Sequence, residues 1–190
     1  VARRLDQIVV VDVEATCWEG EPPAGQASEI IEIGVCLLDV ASCERAGRWG
    51  TFVRPERSEV SAFCTQLTTI TPEQASGGQA FAEACKVLRR DFHAKDRLWA
   101  SFGDYDRAQF ERQCRAMEVP YPFGPGHLNV KTLLAIMLGL SREIGMDAAL
   151  ARLHLPLEGT HHRAADDAWN IGAILGTLLR RARVIASFPL

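Results

Sequence analysis

The run IVVVDVEA, Ile8 to Ala15, constrains this chain more than any other stretch. Its β-branched residues favour an extended strand, read here from Gln7 to Ala15. Four apolar residues in a row leave no wet face, as in a strand covered on both sides. Asp12 and Glu14 then break the run. Side chains two apart on a strand share a face, so the two acids aim together. Converging carboxylates repel, and a cation, a shared proton or water must offset the repulsion. A hard divalent cation is one answer, because such ions take carboxylate oxygens. A strand end lying in water is the other.

The chain has 190 residues, and residues 1–190 are read as one domain. No segment approaches the roughly 18 consecutive apolar residues of a membrane span. No basic and apolar leader opens the chain, so a cytoplasmic protein without a membrane partner is expected. The net charge of −3 gives no sign of the basic surface that tracks a duplex. Nucleic acid stays open as a partner, since bound metal ions supply positive charge locally. The six cysteines form no Cys-x-x-Cys pair, which argues against a zinc ribbon and for reduced core thiols.

Loop residues GEPPAGQAS follow the first strand. Glu29 to Val40 reads as a second strand, and Arg45 to Pro55 as a third, in an antiparallel meander. Helical periodicity is expected to start after ITPEQ, with Thr71 as N-cap and Pro72 at the first helical position. GQAFAEACKVLRRDFHA reads as a separate helix, Arg97 to Gly103 as a fourth strand, and Tyr105 to Met117 as a helix. HLNV reads as a short fifth strand ahead of KTLLAIMLGL, and GMDAALARLHL as a small helix. The last element, RAADDAWNIGAILGTLLRRARVIA, is long and amphipathic. Its apolar side runs through Trp169 or Ala173, Ile174, Leu178 and Val184 or Ile185. The fold class is therefore α/β, a mixed sheet covered by helices.

Further acids stand where chemistry gathers in such folds. Asp104 and Asp106 follow the fourth strand; either could cap the next helix, and either could reach the edge where ligands collect. GTHHRAADDAWN sets His161, His162, Asp166 and Asp167 at the start of the last helix. Asp in a first turn complements the helix dipole, but two adjacent histidines need another reason. A neutral histidine near a metal-bound water is a competent general base. No Gly-rich phosphate loop or nucleophile elbow competes with a metal site.

These residues resemble the DEDDh-type 3′–5′ exonucleases. DVEATCWEG resembles their first motif, and its ATCWEG tail points to the three-prime histone-mRNA exonuclease and enhanced-RNAi group. EIIEIGVCLLD, FVRPE, FCTQLTTIT and HHRAADDAWNI resemble segments of that group in the same order, from about Ile8 to Leu179. The resemblance implies a ribonuclease H-like fold: a five-stranded mixed sheet, three strands antiparallel and then parallel strands, flanked by helices. It implies Asp12, Glu14, Asp106 and Asp167 as ligands of two Mg²⁺ or Mn²⁺ ions, with His162 as general base. Aligning H-x-x-x-D-D-x-x-N on His162, Asp166, Asp167 and Asn170 selects that register over His161 with Asp166. Ala15, Thr16, Trp18, Leu67 and Thr68 would meet the terminal nucleotide. The implied reaction removes nucleoside 5′-monophosphates from 3′ ends of single-stranded nucleic acid, RNA before DNA. The alternatives are a DNA exonuclease, a phosphohydrolase of small nucleotides and a catalytically inactive RNA-binding module. Two positions depart from the group: Thr69 stands where a glycine is common, with an expected effect on the base pocket, and GTHH lacks an arginine. With about seven residues ahead of the first motif, binding of long duplexes or stem-loops is not expected.

Overall fold

A computed structural model describes residues 4–186. Among them, β1 (Arg4–Ala15), β2 (Ile30–Asp39), β3 (Arg45–Phe52), β4 (Arg97–Ser101) and β5 (His127–Asn129) form one sheet in the order β3-β2-β1-β4-β5. β1 pairs antiparallel with β2, and β2 with β3; β4 runs parallel to β1, and β5 to β4. This is the ribonuclease H-like sheet.

Alternation along β1 sorts the molecule into two layers. Val9, Val11 and Val13 pack under α3 (Phe81–Asp91) and α4 (Tyr105–Ala116), beside Phe81, Leu88 and Phe110. Ile8 and Val10 face the opposite way, toward α5 (Val130–Met137), α6 (Met146–Leu153) and α7 (Ala164–Ala186). Both faces being covered explains the unbroken apolar run. The even positions continue into Asp12 and Glu14, so both acids share the face that α7 covers.

α7 lies close to the sheet because β2 and β3 present glycines to it. A Cβ on Gly34 would land on the main-chain oxygen of Ala164, and one on Gly50 would meet the Ala165 methyl at 2.7 Å. Gly34→Ala is expected to destabilise by about 3 kcal/mol, since helix and strand must part to admit one carbon. Urea denaturation at fixed slope measures this, and an unchanged midpoint would contradict so close an approach. Ala168, Ile171, Ile174, Leu175 and Leu178 form the buried stripe of α7. The expected stripe ends there: Val184 is 60% exposed, and the side chain of Ile185 lies outside the described residues. In the last turns Arg180 donates to the carbonyl of Cys43 at 2.8 Å and Arg183 to that of Ala41 at 2.6 Å, tying the helix to the turn between β2 and β3.

Two short helices join β3 to α3. α2 (Pro72–Ser76) starts at Thr71 with a complete capping box to Gln74. α1 (Ala62–Thr68), capped by Ser61, precedes the point where helix was expected to begin. It ends on Thr69, whose φ of 63° is left-handed. A β-branched residue there is strained, and glycine is the residue this position favours. Thr69 is exposed and lies off the central cavity, so the departure from glycine acts on a helix end. Thr69→Gly is expected to stabilise by about 1 kcal/mol in thermal or urea unfolding; a loss would show that the threonine side chain has a compensating contact.

All six cysteines are free thiols; five are buried and Cys17 is partly so. Among the described residues, no helix is long and apolar enough to cross a membrane.

Candidate active site

The C-terminal ends of the parallel strands open into a cavity of about 380 Å³. Asp12, Glu14, Asp106, Asp167, His161 and His162 all line it. Ligands of open α/β sheets collect at such an edge. β1 delivers Asp12 and Glu14, the first turn of α4 delivers Asp106, and the first turn of α7 delivers Asp167.

Oxygens of Asp12, Glu14 and Asp167 lie within 4.8 Å of one another, close enough to share a metal ion. Asp106 stands beside them, fully committed at one oxygen: its Oδ1 accepts the main-chain N–H of Val13 at 3.0 Å. Asp104, at the N-cap position of α4, makes no capping bond and instead meets Arg107 at 3.1 Å and the Asn129 amide at 3.1 Å. Asp166 also turns away. It accepts the N–H of Thr160 at 2.7 Å and pairs with Arg48. Of the two adjacent aspartates, Asp167 is the one that meets the other acids.

Burial and crowding change how these acids hold protons. Burial, then the charge of Asp106, holds the Asp12 carboxyl well above the usual range. Burial and Asp167 lift Glu14 to about 8, burial lifts Asp106 to about 7, and burial raises Asp167. Four acids that resist ionising side by side are the donor set a hard divalent cation fits, because its charge offsets both effects. A carboxyl with a raised folded pKa stabilises the fold fully below its ordinary value and loses that contribution as pH rises. In chelator, the melting temperature is therefore expected to fall between about pH 4 and about pH 8, the span from the ordinary carboxyl range to the raised values. Added Mg²⁺ should restore it most at the alkaline end, by binding the ionised form. A flat melting profile in chelator over that span would sink this description of the acids.

The histidine loop is held from several sides. Glu32, buried on β2, accepts Nε of Arg163 at 3.2 Å, Nη2 of Arg163 at 2.9 Å and the N–H of Ala164 at 2.9 Å. Asn170, fully buried, accepts the N–H of Glu158 and donates to the carbonyls of Glu158 and Asp166. His162 adopts a left-handed φ of 62°, and its N–H donates to Asp167 Oδ2 at 2.9 Å. Burial, then the charge of His161, pushes its imidazole below the usual pKa, which keeps a ring nitrogen free of a proton. His161 was set aside in the register chosen from sequence, yet its Nδ1 lies 3.0 Å from Asp167 Oδ2. Its ring stacks on His162, with centroids 4.0 Å apart.

The five positions expected to hold a nucleotide divide. Ala15 and Leu67 line the cavity, and Leu67 is exposed there. Thr16 and Thr68 are fully buried, with hydroxyls engaged inside the protein. Thr16 Oγ1 accepts the N–H of Glu29, and Thr68 Oγ1 donates to the carbonyl of Cys64. Trp18 is half-buried and lies off the cavity. Phe102, Tyr105, Lys131 and Met146 line the cavity without having been expected to. Tyr105 adjoins Asp106 and Lys131 follows β5, so strand-end position was the available signal for both. Met146 gave none.

A sheet of this order, with four acids and a histidine gathered at the ends of its parallel strands, has the architecture of the ribonuclease H-like exonucleases. The chain belongs to the exonuclease family RNase_T, which matches residues 9–175. The 3′-5′ exoribonuclease 1 of Rattus norvegicus is 31% identical over 186 residues, covering 92% of this chain and 53% of that protein. The Homo sapiens protein of the same name is 30% identical with the same coverage. The chain thus spans about half the length of the curated relatives it matches. The nuclease domain of 3′hExo, a DEDDh family member bound to rAMP, superposes with a TM-score of 0.85 at 27% identity, covering 95% of each chain. A 3′-exonuclease structure described as recognising the 3′ end of histone mRNA stem-loop superposes with a TM-score of 0.82 at 26% identity, covering 95% of this chain and 84% of that one. The DEDDh exonucleases depend on divalent metal, and the acids described above are a donor set of that kind.

Proposed function

We propose that residues 1–190 act as one exonuclease domain that trims single-stranded RNA from its 3′ end, releasing nucleoside 5′-monophosphates. The observation that carries this reading is the convergence of Asp12, Glu14, Asp106 and Asp167 on one open cavity that His162 also lines. Likeness to 3′-5′ exoribonuclease 1 favours RNA over DNA. Asp12, Glu14 and Asp167 would hold divalent metal, with Asp106 completing the negative shell; two Mg²⁺ or Mn²⁺ ions are the proposed complement. Such ions supply a nucleophile at neutral pH and offset charge on the scissile phosphate.

The protein's own groups do the rest. His162 Nδ1 or Nε2, deprotonated at neutral pH, takes the proton of the attacking water. Its N–H bond to Asp167 fixes the distance between base and acid cage. Leu67 and Tyr105, both exposed at the rim, offer apolar surface to the terminal base. Lys131, the one lysine or arginine among the described residues lining the cavity, offers its ammonium to a backbone phosphate. Free thiols throughout suit a reducing compartment, and the cytoplasm is the proposed one.

The test is digestion of 5′-labelled RNA and DNA of one sequence with Mg²⁺ and with Mn²⁺. RNA shortened one nucleotide at a time from its 3′ end, and blocked by a 3′-phosphate, is expected. Faster loss of DNA would transfer the reading to a DNA exonuclease. Failure to shorten either polymer with either metal would refute a nuclease.

A further inference from the structure

A second metal-binding arrangement shares one acid with the cage. We propose that His161, His162 and Asp167 form a zinc site whose occupation shuts the nuclease off, an inference that rests on the nuclease reading only for its inhibitory consequence. One ligand atom from each of the three residues lies within 4.8 Å of the other two. His161 Nδ1 is 3.0 Å from one Asp167 oxygen and 3.2 Å from the other. The two imidazoles stack at 4.0 Å with 14° between their planes, which sets their nitrogens side by side. All three residues line the open cavity, so an ion can reach them.

Ligand chemistry separates this triad from the acid cage. Asp12, Glu14 and Asp167 offer only oxygen, which suits Mg²⁺ or Mn²⁺. His161, His162 and Asp167 offer two nitrogens and one oxygen, a set that suits Zn²⁺ and leaves a fourth position for water. A hydrogen bond between His161 and Asp167 uses one imidazole. The second, stacked against it, completes a three-ligand set.

The two triads compete because both need Asp167. Zinc in the histidine triad draws that carboxylate from the oxygen cage. It also occupies the lone pair with which His162 accepts a proton. Zinc therefore disables base and cage together, at a residue pair that Mg²⁺ does not use. His161 creates this liability, since a single histidine at position 162 would leave only two of the three ligands.

Metal-stripped protein titrated with Zn²⁺ by calorimetry, and with Co²⁺ by visible absorption, reads binding without any substrate. One Zn²⁺ per chain is expected, and Co²⁺ should give the intense visible band of a four-coordinate, nitrogen-containing site. His161→Ala and His161→Gln should each weaken Zn²⁺ binding by about tenfold or more, the scale of losing a support to a metal site. Asp12→Asn should change it by no more than about threefold, since that residue lies outside the triad. The reverse ranking would put zinc in the oxygen cage and overturn the proposal, as would the absence of Zn²⁺ binding. In RNA trimming at saturating Mg²⁺, the Zn²⁺ concentration giving half inhibition should rise about tenfold in His161→Gln. Equal inhibition of both proteins would refute the regulatory role. A chain that binds zinc as described but trims no nucleic acid would contradict the nuclease reading while leaving the binding site standing.

Discussion

Asp12→Asn is expected to lower 3′ trimming by about a thousandfold or more, the scale set by losing an electrostatic group at a metal-assisted reaction. The side chain keeps its size, so packing on the α7 face is preserved. Its charge is what vanishes, and with it the strongest point of repulsion in the cage, where Asp12 faces Asp106, Glu14 and Asp167. In chelator, the variant should therefore melt above the unchanged protein at alkaline pH. The rise in melting temperature on adding Mg²⁺ should shrink at the same time. This opposite movement of stability and activity marks a residue retained for chemistry. Loss of activity together with loss of stability in chelator would instead mean that Asp12 holds the fold, and would sink its assignment as a ligand.

His162→Ala is expected to slow trimming by about 10² to 10⁴, the range of general-base catalysis. The melting shift on adding Mg²⁺ should survive, because the residue lies outside the oxygen cage. That split between rate and metal response separates a base from a ligand. His161→Ala should slow trimming less, since His161 touches Asp167 through one ring nitrogen and His162 is the imidazole assigned to the water. The opposite order of the two variants would exchange their roles. The rate of the unchanged protein should also rise with pH below the ordinary histidine range, because burial holds the His162 pKa low.

Much of this site was legible from the chain alone, for a simple reason. A strand alternates, so Asp12 and Glu14 had to share a face with Ile8 and Val10, and that face had to be covered. The long amphipathic stretch at the other end of the chain was the natural cover. The choice between Asp166 and Asp167 was a different matter. It depends on how α7 is rotated, and contacts of Arg48 and Thr160 with Asp166 set that rotation. Helix α1 escaped notice because AFCTQLT is short and has no 3.6-residue apolar period. The strain at Thr69 was invisible without a backbone. Thr16 and Thr68 carry hydroxyls that could have met a nucleotide; only the tertiary structure shows them occupied by the loop at Glu29 and the carbonyl of Cys64. Phe102 and Met146 reach the cavity through the arrangement of separate elements, which no local pattern records.

The seat of α7 on Gly34 has a consequence for the life of the molecule. β1 leaves the ribosome well before α7. A nascent chain holds Asp12, Glu14 and Asp106 long before it holds Asp167 or the histidine loop that Glu32 anchors. Domains fold as units during synthesis, and this one lacks that wall until α7 has emerged. The acid cage is therefore incomplete until α7 is in place. Had the fourth acid come from α3, the chain would have carried its full set of acids before α7 was made.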